Sequence, residues 1–139
     1  MSDTAADRFA LQDVMSRYAA GVDERDLDMY RACFDDDVEV VGFGGKTIRG
    51  GDAWRDYVAT ALEAFGPTQH MLGPVYARIE GDEAECRTDV QALHYLVGRP
   101  DTTLTLWATY KTRMRRQRGD WKIVRHELVS RGTRTQSDA

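Results

Sequence analysis

The hydrophobic period of this chain changes at Gly66-Pro67. Before that point apolar residues recur mainly at three- and four-residue spacing, and after it they alternate. A period of 3.6 that gives way to one of 2 dictates helices first and strands after. Leu11, Val14, Met15, Tyr18 and Val22 predict a helix over about residues 5–22, opened by a capping-box pattern, Thr4-Ala5-Ala6-Asp7, with Asp in place of Glu. The stretch "DERD" interrupts it, Leu27, Tyr30 and Phe34 predict a short second helix, and Asp35, Asp36 and Asp37 end that helix. Val38, Val40 and Val41 read as a strand, "GFGG" as a tight turn, and Lys46 to Arg49 as the return. Asp52 is placed to cap a third helix striped by Trp54, Tyr57, Val58, Ala61, Leu62 and Phe65. Extended segments follow at about 68–80, 84–97, 102–116 and 121–130, separated by "EGDE", "GRPD" and "RGD" turns. Helices grouped ahead of a meander give an α+β fold, with three helices on one face of a strongly curved, mostly antiparallel sheet.

At 139 residues the chain suits one domain that buries roughly two-thirds of its unfolded surface; the core is expected over about 7–131, with loose ends. No stretch approaches the ~20 apolar residues of a membrane span, and "MSDTAADRFA" has neither a basic nor an apolar leader region, so a cytoplasmic protein with no membrane contact is expected. Cys33 and Cys86 lack ligand-like spacing and read as free, buried thiols. The net charge of -4 conceals an asymmetry: residues 1–40 carry eleven acids against four Arg, and residues 111–134 nine Lys or Arg against two acids. The basic run "KTRMRRQRGDWK" straddles a hairpin turn at Gly119-Asp120 and lacks interleaved aromatics, so it reads as a solvated strand end and no nucleic-acid partner is expected. The "GFGG" glycines have no phosphate-loop spacing.

In "CRTDVQALHYL" Cys86, Thr88, Val90, Ala92, His94 and Leu96 share the more apolar face, which should meet the helices. His94 is therefore an inward polar residue, and a hydrogen-bonded core histidine is the bland reading. Asp23 follows Val22, where the first apolar stripe ends, so its carboxylate either points under the helix or belongs to a solvated turn with Glu24 and Asp26. With His70, in "TQHMLG", these three form a set suited to general acid/base catalysis, since a carboxylate-oriented His moves protons near neutral pH. Tyr18 and Tyr110, if they reach the same space, can donate to a substrate carbonyl or enolate. A Ser-His-Asp or Cys-His triad has no supporting pattern, a metal site through His70 and His94 has no supporting spacing, and His126 is assigned a structural role.

The ordered series "YAAGVDERDLDMYRACFDDDVEV", "G...W..YV", "TQHMLG", "GDEAECRTDVQALH" and "GDWKI" resembles the SnoaL-like group of the nuclear transport factor 2-like superfamily over about residues 7–131. The resemblance implies an α+β cone, a deep pocket closed by the N-terminal helices, and frequent dimerisation through the outer sheet face. Within the group the chain is most similar to scytalone dehydratase, hexachlorocyclohexane dehydrochlorinase and bile acid 7α-dehydratase. The resemblance puts Asp23 and His70 on the acid/base pair of those enzymes. It puts His94 on a second pocket histidine, and Tyr18 on a pocket tyrosine. Val22 and Gly42 stand where scytalone dehydratase has two water-binding tyrosines, and Tyr110 near its pocket asparagine. With Trp54, these positions are assigned to the substrate pocket.

The function this implies is a cofactor-independent, metal-free lyase or isomerase acting on a small hydrophobic, cyclic substrate. His70 is the base, Asp23 orients it, and His94 and Tyr18 serve as polarising or acid groups. The rivals are a non-catalytic ligand-binding or accessory subunit resembling a ring-hydroxylating dioxygenase β subunit, and a polyketide cyclase. Trp107, facing away from Leu106 and Ala108, is the candidate contact of a homodimer.

Overall fold

A computed structural model describes residues 4–138. The helices are α1 (Ala5–Asp23), α2 (Leu27–Arg31) and α3 (Gly51–Leu62). The strands are β1 (Phe34–Phe43), β2 (Lys46–Arg49), β3 (Phe65–Leu72), β4 (Tyr76–Glu80), β5 (Glu83–Leu96), β6 (Arg99–Gln117) and β7 (Asp120–Ser137). The sheet is ordered β2-β1-β7-β6-β5-β3, with β4 also paired to β5. Every pairing is antiparallel except β1 with β7. Register shifts between β6 and β7, beside Trp107/Ala108 and Arg113/Met114, increase the local twist of the two longest strands and help curve the sheet around the helices.

The stripe read on α1 is the one buried: Leu11, Val14, Met15, Tyr18 and Val22 are at most 5% exposed. Thr4 Oγ1 accepts from the Asp7 N–H at 3.1 Å, while the Asp7 carboxylate turns to Arg116 at 2.6 Å. These α1 side chains meet Trp54 of α3 and Tyr30 of α2 above Val38, Val40, Val90, Tyr110, Met114 and Ile123 of the sheet. Burying a large apolar side chain of this kind stabilises the fold by roughly 1.5–3 kcal/mol.

Five boundaries depart from the expected ones, the first at the end of α3, which stops at Leu62 so that Phe65, expected on its stripe, opens β3 opposite Leu96. Asp35, Asp36 and Asp37 do not end a helix but lie in β1, because the chain is drawn into parallel pairing with β7 through Phe34↔Ile123 and an Ile123 N–H to Cys33 carbonyl bond of 2.9 Å. Asp52 does not cap α3: Gly50 holds the cap position without a side-chain bond, and Asp52 pairs with Arg31 at 2.9 Å. The segment expected as one strand over 68–80 is two, separated at Gly73-Pro74-Val75, where Pro74 has no N–H to donate and Val75 N–H turns to Gln12 Oε1 at 3.1 Å. At the far end β7 continues to Ser137, opposite Thr102, past the strand end expected near 130.

Three arginines of the basic run pair with acids across the sheet. Arg115 meets Glu83, Arg113 meets Glu85, and Arg116 bonds Asp7 and Asp82 while lying over the Trp121 ring at 4.9 Å. Both thiols are free and buried, and burial pushes Cys33 and Cys86 up to about 11.

Candidate active site

Asp23 is the last residue of α1, and the turn after it passes through Arg25 at φ 58°, a left-handed conformation. That turn drops the end of α1 onto β3. Arg25 latches it there, donating to the Val22 carbonyl (2.8 Å), Thr68 Oγ1 (2.9 Å) and the Gly66 carbonyl (2.6 Å). Along β3, Thr68, His70 and Leu72 alternate inward while Gln69 and Met71 face solvent. The Asp23 carboxylate accepts three bonds from this strand: Thr68 Oγ1 and His70 Nδ1 reach Oδ1 at 2.9 and 2.8 Å, and the His70 backbone N–H reaches Oδ2 at 2.7 Å.

The side chains of His70 and Asp23 are 10% and 18% exposed, so the pair is shielded but reachable. Burial alone raises the Asp23 carboxyl; the bonds from the His70 ring and backbone, the His70 charge and Thr68 outweigh it and hold the carboxyl below its usual value. An ionised carboxylate only accepts, so Nδ1 of His70 carries the proton and Nε2 of the neutral ring carries a lone pair. Thr68 receives Arg25 on its oxygen and therefore spends its single hydroxyl proton on Asp23. Thr68 and Arg25 are the members of this arrangement that the sequence reading did not select. Their signal lay in the "T" of "TQH" and the basic residue of "DERD".

His94 stands on β5 directly opposite Thr68, which puts it diagonal to His70 on the same inner face. The two imidazole centroids lie 5.9 Å apart at 78°, and Phe65 covers His94 at 4.6 Å. The His94 Nδ1 bonds the Leu104 carbonyl at 3.0 Å, and burial lowers its basicity.

The other selected residues divide. Tyr18, Tyr110, Trp54 and Val22 are 1–5% exposed and belong to the core. The Tyr18 hydroxyl is engaged by His126 Nε2 at 2.8 Å, within rings from Tyr30, Phe34 and Tyr110. Trp54 donates to the Tyr30 hydroxyl at 3.0 Å and stacks on Tyr57. Burial raises the Tyr18 hydroxyl well above its usual value and Tyr110 to about 12, to which the Asp23 charge adds a small part. Gly42 sits in a β1 bulge at φ 91°, where a Cβ would come 2.5 Å from the Leu128 carbonyl oxygen, so this backbone admits no tyrosine there. His126 is fully buried, its Nδ1 has no hydrogen-bond partner among the described residues, and burial lowers it to about 3.

A groove of about 360 Å³ runs on the opposite, outer sheet face between Tyr76, Arg87, Lys111 and Glu127, and contains none of these groups. No helix among the described residues is long and apolar enough to cross a membrane.

A family model, the SnoaL-like domain, matches residues 3–127. Among curated proteins none matches the chain. The fold is that of a type 2 hexachlorocyclohexane dehydrochlorinase, 24% identical, with a TM-score of 0.87 over 96% of this chain and 91% of the other. A scytalone dehydratase-like protein from Novosphingobium aromaticivorans, also 24% identical, superposes with a TM-score of 0.86 over 96% and 90%. A Nostoc punctiforme protein of unknown function with a cystatin-like fold, 20% identical, gives 0.77 over 94% and 95%.

Proposed function

From the premise that this chain belongs to the SnoaL-like family, we propose that it is a cofactor-independent acid/base enzyme, a lyase or isomerase, that removes a carbon-bound proton from a small hydrophobic, cyclic substrate. The observation that carries this is the His70 Nδ1 to Asp23 bond of 2.8 Å, within a carboxylate already held by two further donors. With Nδ1 committed, the Nε2 lone pair is the base. Asp23 stabilises the imidazolium that forms, and the C–H electron pair enters the substrate as a new double bond or enolate. In an elimination the leaving group departs from the adjacent carbon with the proton returned by His70; in an isomerisation the same proton returns at another carbon. The Tyr110 hydroxyl, raised by burial, stays protonated at neutral pH and takes the role of donor to a developing oxyanion in this reading, whereas the Tyr18 hydroxyl is engaged by His126. Dehydrochlorinase and dehydratase structures among the fold neighbours support this reading.

The test is incubation in D2O with a panel of cyclic ketones, β-hydroxyketones and halogenated rings, read by NMR for deuterium uptake and loss of the leaving group. Turnover should fall by about 10²- to 10⁴-fold in His70→Ala, the range general-base removal usually costs. An Ala variant that turns over at the parental rate refutes the assignment, and panel members that bind without exchange or elimination assign the site to ligand binding.

A further inference from the structure

Besides the base, the inner face presents a second bare nitrogen. A carbonyl oxygen cannot donate, so the 3.0 Å contact of His94 Nδ1 with the Leu104 carbonyl puts the ring proton on Nδ1 and leaves Nε2 with a lone pair. Burial lowers the basicity of this ring, the His70 charge reinforces that, and Arg25 acts in the same direction, while Asp23 opposes it. The balance favours the neutral ring. Its cross-strand neighbour Thr68 cannot satisfy Nε2, because the Thr68 proton is spent on Asp23. Phe65 covers the ring at 4.6 Å and offers no donor. Two imidazole acceptors thus stand 5.9 Å apart, centroid to centroid, one built to take a carbon-bound proton and the other open to a hydrogen-bond donor.

We propose that His94 Nε2 accepts a hydrogen bond from a substrate hydroxyl, so that the site selects an alcohol, phenol or enol over a ring bearing only halogens or ethers. This rests on the reading of His70 as the base for its placement beside the reacting carbon. It also removes His94 as the resting-state acid, since Nε2 holds no proton to give, and leaves reprotonation to the His70 imidazolium. A ligand without a donor would desolvate Nε2 with nothing in exchange, which weakens binding by about 10- to 100-fold.

The experiment uses the full chain, labelled with ¹⁵N at histidine, and three probes of matched shape: phenol, its methyl ether anisole, and chlorobenzene. In the free protein, the His94 nitrogens should report Nδ1 protonated and Nε2 bare. Phenol should bind at least about 10-fold tighter than anisole or chlorobenzene and shift Nε2 of His94, and His94→Phe should abolish that preference. Protonation of Nε2 in the free protein, no response of the His94 nitrogens to millimolar phenol, equal binding of the three probes, or a preference that survives in His94→Phe would overturn the proposal. The tautomer is read on the parent protein, so the inference stays testable if the variant misfolds. Absence of a phenol preference in the parent protein, with catalysis by His70 intact, refutes this inference alone; a phenol preference in the parent protein with an active His70→Ala refutes the base assignment alone.

Discussion

Replacing Asp23 by Asn tests the tautomer argument with almost no change of shape. The carboxylate accepts two bonds at Oδ1, from His70 Nδ1 and Thr68 Oγ1, and one at Oδ2, from the His70 backbone N–H at 2.7 Å. An amide has one oxygen and one NH2, so one side must face a donor with a donor. If the oxygen took the Oδ1 place, the NH2 would oppose a backbone N–H that cannot change its protonation. With the amide reversed, the oxygen serves the backbone and the NH2 faces the imidazole and the threonine. The hydroxyl can rotate and the ring can shift its proton. The variant should therefore adopt the reversed amide, with His70 protonated on Nε2, the nitrogen meant to act as base.

The consequence is a loss of about 10²- to 10⁴-fold in kcat, the range a general base contributes, with much less change in KM because the substitution hardly alters shape. Replacing charge-assisted bonds by neutral ones around a mostly shielded group costs about 1–3 kcal/mol, roughly 3–9 °C in Tm for a chain of this size. Side-chain ¹⁵N NMR gives the tautomer, and kinetics on any substrate found in the D2O panel gives the rate. An Asn variant whose His70 still carries its proton on Nδ1, or whose kcat stays within about threefold of the parent, refutes the reasoning.

Three further perturbations follow from the same packing. His126 is lowered by burial to about 3, so between that value and its unfolded value near 6.5 the unfolded chain binds more protons; stability is full above about pH 6.5 and falls as pH drops, by on the order of 4 kcal/mol near pH 3. His126→Gln, which can still bond Tyr18, should flatten that slope in acid melts, and an unchanged slope counts against the assignment. Gly42→Ala forces a Cβ to 2.5 Å from the Leu128 oxygen at φ 91° and should lower stability by about 2 kcal/mol or more, whereas a thermal melt matching the parent would show that the bulge relaxes freely. Trp107 lies 37% exposed beside the 61% exposed Met71 on the outer sheet face; if that face joins two copies, Trp107→Arg should halve the mass measured by light scattering, and a monomeric parent removes the idea.

What could be read from residues alone was set by periodicity. Alternation in "CRTDVQALHYL" is enough to put His94 inward, because faces of a strand are a local property, and the 3.6 period of α1 fixes which of its side chains are buried. The resemblance then paired Asp23 with His70, which the structure holds in hydrogen-bond contact. The Asp35–Asp37 run was misplaced because the pull into β1 comes from β7, about ninety residues on, and no local propensity encodes it. Thr68 and Arg25 escaped for the same reason. Their bonds between α1's end and β3 span 41 to 45 residues and exist only because the left-handed turn at Arg25 sets the end of α1 on β3 in one register.

That register makes Arg25 a positioning residue whose effect is separable from charge. Its guanidinium occupies the Thr68 oxygen, and the hydroxyl is left with one use for its proton, at Asp23. Arg25→Lys keeps a cation near the site but cannot span Val22, Gly66 and Thr68 at once. If the fork is what matters, the Lys variant should lose about 3- to 10-fold in kcat, and Thr68→Val should lose a similar amount and be insensitive to the Arg25 change. Additive losses in the double variant would instead mean that Arg25 acts on the dyad through its field, and the chain from Arg25 through Thr68 to Asp23 would have to be abandoned.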